Sequence, residues 1–537
     1  MKMKYIGYIV IIFILHSCTR KTETFQKEVV DTALVNGEQA NECYVRSLNF
    51  VKGWLTKADS TSGLIPTNLT GKIDIWEPCN SAADNYPYMV LTSYLLDKDL
   101  FNGRMLDILK TEKRLTSRVK SLPDTYSFSK RGFKSDIPDM NWVIFGAAEY
   151  MKDGLIPLCE YIGKSPWTNR MTEMLDDLSE YCTVFKDVDR MGEYMVASEE
   201  INGDLLQSLS RMYWMSGEKK YLDRAIEIGD HYMLGSCDLV EKDYLRMRDH
   251  GCEIIGGLSE LYVTLHFVNP EKKKQYQAAY YKLLNRILEV GRNKDGLFYN
   301  AVNPVSGEVT DNQLVDNWGY ILDAYYTVWM VDKNEKFREA VLKSFTQLYK
   351  KYRDYPWEGT SHDGYADALE SGINLYNRES SPVLKEWIDS EMKVMFKMQH
   401  ENGILAGTHA DGNFARTAIM YALWKSQGAC INPWRNDVLL GAVKNGDEYG
   451  FVLNAQNDWE GKLVFDTQRH KKILHLPIDY PRINQFPEWF TVKDGKGYLV
   501  VSSQKELNRI YTMEELRKGL PLKLKANETL VLSVCER

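Results

Sequence analysis

Hydrophobic and polar residues alternate along the middle of the chain in two kinds of helical segment. One kind is small, apolar and aromatic nearly all round, which is typical of a buried helix, and the other carries charge along one face. Charged examples are "KYLDRAIEIGDHYM" and "SPVLKEWIDSEMKVMFKM". The apolar segments begin near Asn80, Met140, Ile201, Cys252, Asp316, Gly364 and Gly412. Recurrence every ~50–60 residues indicates repeated helical hairpins.

Alternating buried and amphipathic helices predict two concentric layers. We therefore predict a mainly α fold, an (α/α)6-type toroid of six or seven helical hairpins over residues 40–430. An open superhelical solenoid is the structural alternative.

The pattern changes after "SQGACINPW". Short runs rich in branched and aromatic residues follow, such as "DEYGFVLNA" and "ANETLVLSV", with Gly and Asn between them. Such runs are typical of strands joined by turns. Residues 431–537 are therefore predicted to form a C-terminal β-sandwich with a structural role.

The first residues have the layout of a secretion signal: Lys2 and Lys4, a short apolar run, then Leu-His-Ser-Cys. The run is about half the ~20 residues that a membrane-spanning helix needs. We predict a lipoprotein signal peptide over residues 1–18, a lipid anchor on Cys18 and a polar tether over residues 19–39. The expected location is the periplasm or the cell surface of a Gram-negative-type bacterium.

Composition narrows the partners. With 67 Lys and Arg against 74 Asp and Glu, the net charge is −7, and no basic block occurs. This argues against nucleic acid as a partner. The chain has 33 Tyr and 13 Trp, which suits sugar binding and equally suits a large helical core.

A charged cluster precedes the apolar helix "CEIIGGLSELYVTL". It contains Arg246, Arg248, Asp249, His250 and Glu253. Paired arginines beside a helix N-terminus suit an anion, a carboxylate above all. His250 and Glu253 are one helical turn apart and can share a face. The cluster is thus a candidate wall of an active site.

A second cluster is "SHDGYADALESGINLYNRE". Asp367, Glu370, Asn374 and Arg378 fall at helical spacing and form one polar stripe. The stripe is predicted to face the lumen, because burying unpaired charge between helices is costly. His362 and Asp363 stand at its entrance. For both clusters the structural alternative is a hydrogen-bonded ion network that holds the inner helices together.

Other polar residues near the predicted helix starts have a simpler explanation. Asp139, Asp316, Asp411 and Asn80 are suited to capping backbone N–H groups and need have no further role. Five aromatic residues near the same ends are candidates for stacking on sugars: Trp76, Tyr86, Trp142, Trp318 and Trp357. Core packing is the alternative for Trp142 and Trp318.

The chemistry that fits is glycosidic-bond hydrolysis, which uses one carboxyl group as acid and another as base or nucleophile. No nucleophile elbow, phosphate-binding loop, dinucleotide fingerprint or zinc-protease motif occurs. His250, His362 and His409 lie on different repeats without ligand spacing. We therefore predict no metal and no cofactor.

The stretches "RDHGCEIIGGLSELY", "NGDLLQSL", "DNWGY" and "GYADALESGINLYNRE" carry a family resemblance. Over roughly Asn41–Gly428 the chain resembles the uronic-acid-directed toroid hydrolases, namely unsaturated glucuronyl hydrolases and the β-glucuronidases of glycoside hydrolase family 154. The resemblance implies an exo-acting glycoside hydrolase that removes a glucuronic-type uronic acid from a polysaccharide or oligosaccharide. It transfers no catalytic residue to a numbered position.

The predicted site follows from the clusters. The catalytic candidates are Glu370, Asp367, Asp249, His250, Glu253, His362 and Asp363. The substrate-binding candidates are Arg246, Arg248, Trp76, Tyr86, Trp142, Trp318, Trp357, Asn374 and Arg378. A polysaccharide lyase with a His or Tyr base and a non-catalytic glycan-binding lipoprotein remain the alternative functions.

Overall fold

The structure is a computed structural model that describes part of the chain. The described residues are 22–180, 198–235, 237–248, 251–407 and 409–537, without the side chains of residues 22–26. The predicted signal peptide, Cys18, Asp249 and His250 lie outside them. Within the described part, no helix is both long and apolar enough to cross a membrane. Contacts divide the chain into two units, a helical unit and a β unit.

The helical unit comprises residues 46–420 and 468–488. The principal helices of the chain are α1 (Thr22–Leu55), α2 (Tyr86–Leu96), α3 (Leu106–Thr116), α4 (Met140–Glu149), α5 (Ile156–Ile162), α6 (Pro166–Leu178), α7 (Ser198–Ser216), α8 (Lys219–Met233), α9 (Glu253–Val268), α10 (Pro270–Val290), α11 (Trp318–Asp332), α12 (Glu335–Phe345), α13 (His362–Arg378), α14 (Pro382–Phe396) and α15 (Asn413–Lys425). Its short strands are β1 (Ile75–Trp76), β2 (Ser117–Val119), β3 (Leu122–Pro123), β4 (Tyr126–Ser127), β5 (Gly132–Phe133), β6 (Leu245–Arg246), β7 (Tyr299–Val302) and β8 (Val309–Leu314). The prediction that the middle of the chain is helical is confirmed.

The apolar helices of the helical unit contact one another in sequence. α4 packs on α7, α7 on α9, α9 on α11, and α11 on α13. Thr417 of α15 donates a hydrogen bond to the Ala366 carbonyl of α13 (2.9 Å), and the Arg416 guanidinium lies 5.8 Å from the ring of Tyr88 in α2. These two contacts link α15 to α13 on one side and to α2 on the other. The charged helices α8, α10, α12 and α14 each pack against the apolar helix that precedes them, which leaves their charged faces outward.

Two inner helices approach each other closely where α7 crosses α9. A Cβ atom on Gly203 would lie 2.3 Å from the carbonyl carbon of Glu253, and one on Gly257 would lie 2.6 Å from the Gly203 carbonyl oxygen. Both neighbours are backbone atoms, so no side chain can turn aside. Gly203 and Gly257, the second glycine of the Gly-Gly step after the first charged cluster, therefore allow the two backbones to meet beside Glu253.

We expect Gly203→Ala to lower the free energy of unfolding by about 1–3 kcal/mol, because the added methyl group must push two backbones apart. Gly103→Ala is the matched control, since a Cβ atom added there would have no neighbour within 4 Å. That change should be neutral or stabilising by up to about 1 kcal/mol. Urea denaturation measures both variants, and equal stabilities would contradict the packing described here.

A segment far along the chain also belongs to the helical unit. Residues 468–488 lie inside the predicted β-sandwich sequence, yet their contacts are with the inner helices. Two side chains of the segment reach the helices: Arg482 lies 3.5 Å from Glu160 of α5, and Tyr480 donates to Glu260 of α9 (3.0 Å). Three side chains of the helices donate to the segment. They are Arg211 of α7 to the Ile483 carbonyl (3.2 Å), Thr327 of α11 to the Pro481 carbonyl (3.4 Å) and Arg378 of α13 to Asp479 (2.7 Å). A segment that touches five helices in this way, four of them in the apolar series, lies between them. We call residues 479–485 the inner segment.

The β unit contains two antiparallel sheets. Its strands are β9 (Cys430–Asn432), β10 (Val438–Asn445), β11 (Glu448–Ala455), β12 (Trp459–Val464), β13 (Asp466–Thr467), β14 (Thr491–Val492), β15 (Gly497–Ser502), β16 (Arg509–Thr512), β17 (Leu520–Leu524) and β18 (Glu528–Glu536). One sheet has the order β10-β11-β18-β15-β16 and the other β17-β12-β9. Apolar residues of both sheets, among them Phe451, Leu463 and Leu522, share one core.

Residues 22–39 differ from the predicted polar tether, because they form the first part of α1. Ala33 is fully buried, and a Cβ on Gly37 would lie 3.1 Å from the backbone nitrogen of Gly441 in β10. Small residues on one face of this helix therefore allow it to pack closely on the sheet.

Candidate active site

A cavity of about 440 Å³ lies in the helical unit, at the end where the inner helices α9 and α13 begin. Carboxylates dominate its lining: Asp84, Glu149, Asp153, Glu253, Glu358, Asp363, Asp367 and Asp411. Lys152, Arg416, His362 and His409 are the basic residues among them. The cavity is therefore a polar, acid-rich pocket, and its chemistry depends on which carboxyl groups are ionised.

Arg416 organises one side of the cavity. Its Nη2 donates to Asp367 Oδ1 (2.6 Å), and its Nε lies 2.8 Å from Glu370 Oε2. The Tyr320 hydroxyl lies 2.7 Å from Glu370 Oε2 and 3.1 Å from Asp367 Oδ1. The backbone N–H of Asn484 donates to the other oxygen of Glu370 (2.7 Å). We call these five residues the Arg416 cluster.

The two carboxyl groups of the Arg416 cluster have different access to the cavity. Glu370 is fully buried behind the wall, whereas the Asp367 side chain is 16% exposed and lines the cavity. Burial raises the pKa of Asp367 to about 7, although Arg416 opposes this increase. Asp367 thus combines contact with the cavity and a carboxyl proton that is retained close to neutral pH.

Lys152 organises a second cluster. Its Nζ donates to Asp153 Oδ1 (2.6 Å) and to Glu253 Oε1 (2.5 Å). Gln207 Nε2 donates to the second oxygen of Glu253 (2.6 Å). Burial by itself lowers the pKa of Lys152, but Asp153 and Glu253 outweigh burial and hold that pKa well above its usual value. We call Lys152, Asp153, Glu253 and Gln207 the Lys152 cluster.

Two further carboxyl groups lie near the Lys152 cluster. Burial, together with the charge of Asp204, raises the pKa of Glu149 well above its usual value. Burial likewise raises the pKa of Asp204, and neither carboxyl oxygen of Asp204 has a hydrogen-bond partner within the described residues. Burial therefore favours the protonated form of both groups.

His362 and Asp363 mark the entrance to α13. His362 Nδ1 lies 3.5 Å from Asp411 Oδ2, and Asn413 Nδ2 donates to Asp363 Oδ1 (2.7 Å). Burial and the charge of Asp411 raise the pKa of Asp363 well above its usual value. Asp411 also accepts the backbone N–H of Asn413 (2.7 Å), which is the capping role considered for it.

Four predicted catalytic residues meet in the cavity: Glu253, His362, Asp363 and Asp367. The rest of the polar stripe on α13 does not reach the cavity. Asn374 is buried, with its amide 3.4 Å from Glu370, and Arg378 pairs with Asp479 of the inner segment (2.7 Å). The inner segment covers this part of α13, so Glu370, Asn374 and Arg378 are not placed to touch a substrate.

The five predicted stacking aromatics do not line the cavity. Trp318 and Trp357 are fully buried, and each makes an edge-to-face contact with Trp387. Trp76 and Tyr86 are also buried, and the half-buried Trp142 donates to Thr125 Oγ1 (2.9 Å). These side chains pack within the helical unit, which was the alternative considered for Trp142 and Trp318.

The two predicted carboxylate-binding arginines lie outside the main cavity. Arg246 is in β6, opposite Ala301 of β7. Arg248 lines a second hollow of about 270 Å³, together with Asn300, Tyr355 and Glu358. Since Glu358 lines both spaces, the hollow adjoins the main cavity.

Several cavity residues were not predicted from the sequence, notably Lys152, Asp153, Arg416 and Asn484. For the first three a signal exists, because each is a charged residue within an otherwise apolar helical stretch, "YMKDGLIPL" or "NFARTAIMYALW". Such residues need a buried partner. Asn484 has no comparable signal, since it lies in a polar stretch between β runs.

One further group has metal-ligand atoms in proximity. Ligand atoms of His470, Asp479 and Glu488 lie within 4.8 Å of one another. However, Asp479 accepts from Arg378 (2.7 Å) and Gln485 (2.8 Å), and His470 Nδ1 lies 2.8 Å from Glu488 Oε2. These oxygen atoms already have partners within the protein, so we assign no metal to the group.

No protein family and no curated protein matches the chain by sequence. Among solved structures, an inactive variant of the α-1,6-mannanase of Salegentibacter sp. HEL1_6 with α-1,6-mannotetrose is 9% identical, with a TM-score of 0.41 over 71% of this chain and 98% of that one. A family 76 mannosidase of Bacteroides thetaiotaomicron VPI-5482 is 11% identical (TM-score 0.39, 71% and 99% covered). An unsaturated glucuronyl hydrolase with dGlcA-Glc-Rha-Glc is 13% identical (TM-score 0.36, 53% and 86% covered).

These three belong to the α/α-toroid glycoside hydrolases, the class that the sequence resemblance named, and they do not single out a uronic-acid family.

Proposed function

We propose that the protein is a glycoside hydrolase whose active site is the acid-rich cavity. The observation that supports this proposal is Asp367, a cavity-lining carboxyl group whose burial raises its pKa to about 7. A proton donor for a glycosidic oxygen needs such a raised pKa. The reaction also needs a second, ionised carboxylate on the other side of the sugar.

Asp153 is our candidate for the second carboxylate. It lines the cavity, and its Oδ1 accepts hydrogen bonds from Lys152 Nζ (2.6 Å) and Asn484 Nδ2 (3.0 Å). Hydrogen bonds and a cation favour the ionised form of a carboxyl group. In the proposed reaction Asp367 protonates the leaving oxygen, and Asp153 acts as base toward water or as nucleophile toward the anomeric carbon.

The finer proposal is exo-acting removal of a glucuronic-type uronic acid. It draws support from Arg248, a cation in the hollow that adjoins the main cavity, because arginine binds carboxylates well. Burial raises the pKa values of Glu149 and Asp363, which line the cavity, and this reduces the negative charge that an anionic sugar would meet. We also propose an (α/α)6-type toroid, a C-terminal β-sandwich and a lipoprotein anchored through Cys18.

The test is the activity of the purified mature chain on matched pairs of substrates, aryl glucuronides with aryl glucosides and uronic-acid oligosaccharides with neutral ones. Release of saturated uronate, preferentially from the glucuronides, is the expected result. Faster cleavage of neutral glycosides would retain the hydrolase and overturn the uronic-acid specificity. Products that absorb in the ultraviolet would indicate a lyase. Glycan binding without turnover would favour a capture protein.

A further inference from the structure

The inner segment supplies one residue to the cavity wall, Asn484. Arg482, Ile483 and Gln485 around it are at most 3% exposed, so this part of the inner segment is fixed among the helices. Asn484 itself has a backbone φ of 60°, in the left-handed region. Asn and Gly are the residues that tolerate this conformation best, which restricts what can stand here.

Asn484 belongs to the Arg416 cluster and also contacts the Lys152 cluster. Its backbone N–H donates to Glu370 Oε1 (2.7 Å), and its side-chain oxygen accepts from Arg416 Nη1 (2.9 Å). Its side-chain N–H donates to Asp153 Oδ1 (3.0 Å). Arg416 in turn holds Asp367 through Nη2 (2.6 Å). A single amide therefore joins Asp153 to Asp367 through one guanidinium group.

We infer that Asn484 is a positioning residue that sets the geometry of the two proposed catalytic carboxyl groups and the proton affinity of one of them, Asp153. This inference rests on the proposed function. By donating to Asp153, the amide favours the ionised form of that group. By accepting from Arg416, it fixes the guanidinium that orients Asp367. An amide is suited to the position because it donates and accepts without adding charge.

Two variants separate this role from a merely structural one. Asn484→Gly removes the side-chain amide but keeps the left-handed backbone and the N–H that bonds to Glu370. Asn484→Asp keeps an acceptor for Arg416, removes the donor to Asp153 and adds a negative charge. Asn527→Gly is the matched control, because Asn527 has a φ of 63° and belongs to the β unit.

The measurement is kcat and KM against pH, on a glycoside that the wild type cleaves. Asn484→Gly should lower kcat by about 10- to 100-fold through misplaced groups. Loss of the donor raises the pKa of Asp153, so the acidic limb of the kcat/KM profile should move up by roughly half to one pH unit, while the alkaline limb, set by Asp367, stays. The added charge in Asn484→Asp should move both limbs to higher pH.

Unchanged limbs in both Asn484 variants would overturn the positioning role and leave the hydrolase proposal intact. The same role is overturned if Asn527→Gly reproduces the effect. A wild type that cleaves no glycoside overturns the proposed function and this inference together. Thermal unfolding of each variant shows whether a loss of activity comes from misfolding. If Asn484→Asp misfolds, the shift of the acidic limb in Asn484→Gly decides the question.

Discussion

Asp367→Asn is expected to lower kcat about a thousandfold on glycosides with poor leaving groups, because the amide cannot donate the carboxyl proton. On substrates with an activated aryl leaving group the loss should be much smaller, since such a group departs without protonation. The alkaline limb of the wild-type profile should lie near pH 7, where Asp367, with its pKa of about 7, loses its proton. In the variant that limb should disappear.

The control for this experiment is Asp458→Asn, which changes the same side chain on the exposed surface of the β unit. It should leave kcat and the pH profile unchanged. Equal losses on activated and unactivated substrates in Asp367→Asn would contradict the role of proton donor. They would instead assign Asp367 to substrate binding or to the fold of the cavity.

The helical architecture follows from the sequence because a buried helix is apolar around most of its circumference. That condition produces a signal within each segment, and α9 and α13 appear where "EIIGGLSELY" and "YADALESGI" predict them. The charged clusters at the starts of these two helices are also visible locally. Four cavity residues, Glu253, His362, Asp363 and Asp367, were found in this way.

What the sequence could not predict depends on contacts between distant parts of the chain. Glu370 belongs to the same stripe as Asp367, and only the inner segment, more than a hundred residues further on, buries one and leaves the other accessible. Likewise, the sequence does not distinguish the fully buried Trp357 from an exposed tryptophan that could stack on a sugar. The burial of these side chains depends on tertiary contacts, which the periodicity of the sequence does not show.

We expect Arg416→Leu to lower the free energy of unfolding by about 3–5 kcal/mol and to abolish turnover, because it leaves Glu370 buried without its cation. Arg416 is 2% exposed and contacts Asp367 and Glu370, so water cannot replace it. Arg416→Lys keeps the charge but lacks the planar group that serves several acceptors at once, and should therefore recover stability only in part.

The pH dependence of this loss separates an electrostatic cause from a packing cause. Burial raises the pKa of Glu370, and Arg416 opposes that increase. In Arg416→Leu the folded-state pKa of Glu370 rises further above its unfolded value. The folded protein then binds a proton that the unfolded chain releases, so stability is lost as pH rises through that interval. Urea denaturation should show a larger deficit at about pH 8 than at about pH 5. The double variant Arg416→Leu with Glu370→Leu should regain most of the stability without regaining activity. A loss of stability that is independent of pH and persists in the double variant would mean that Arg416 acts through packing alone.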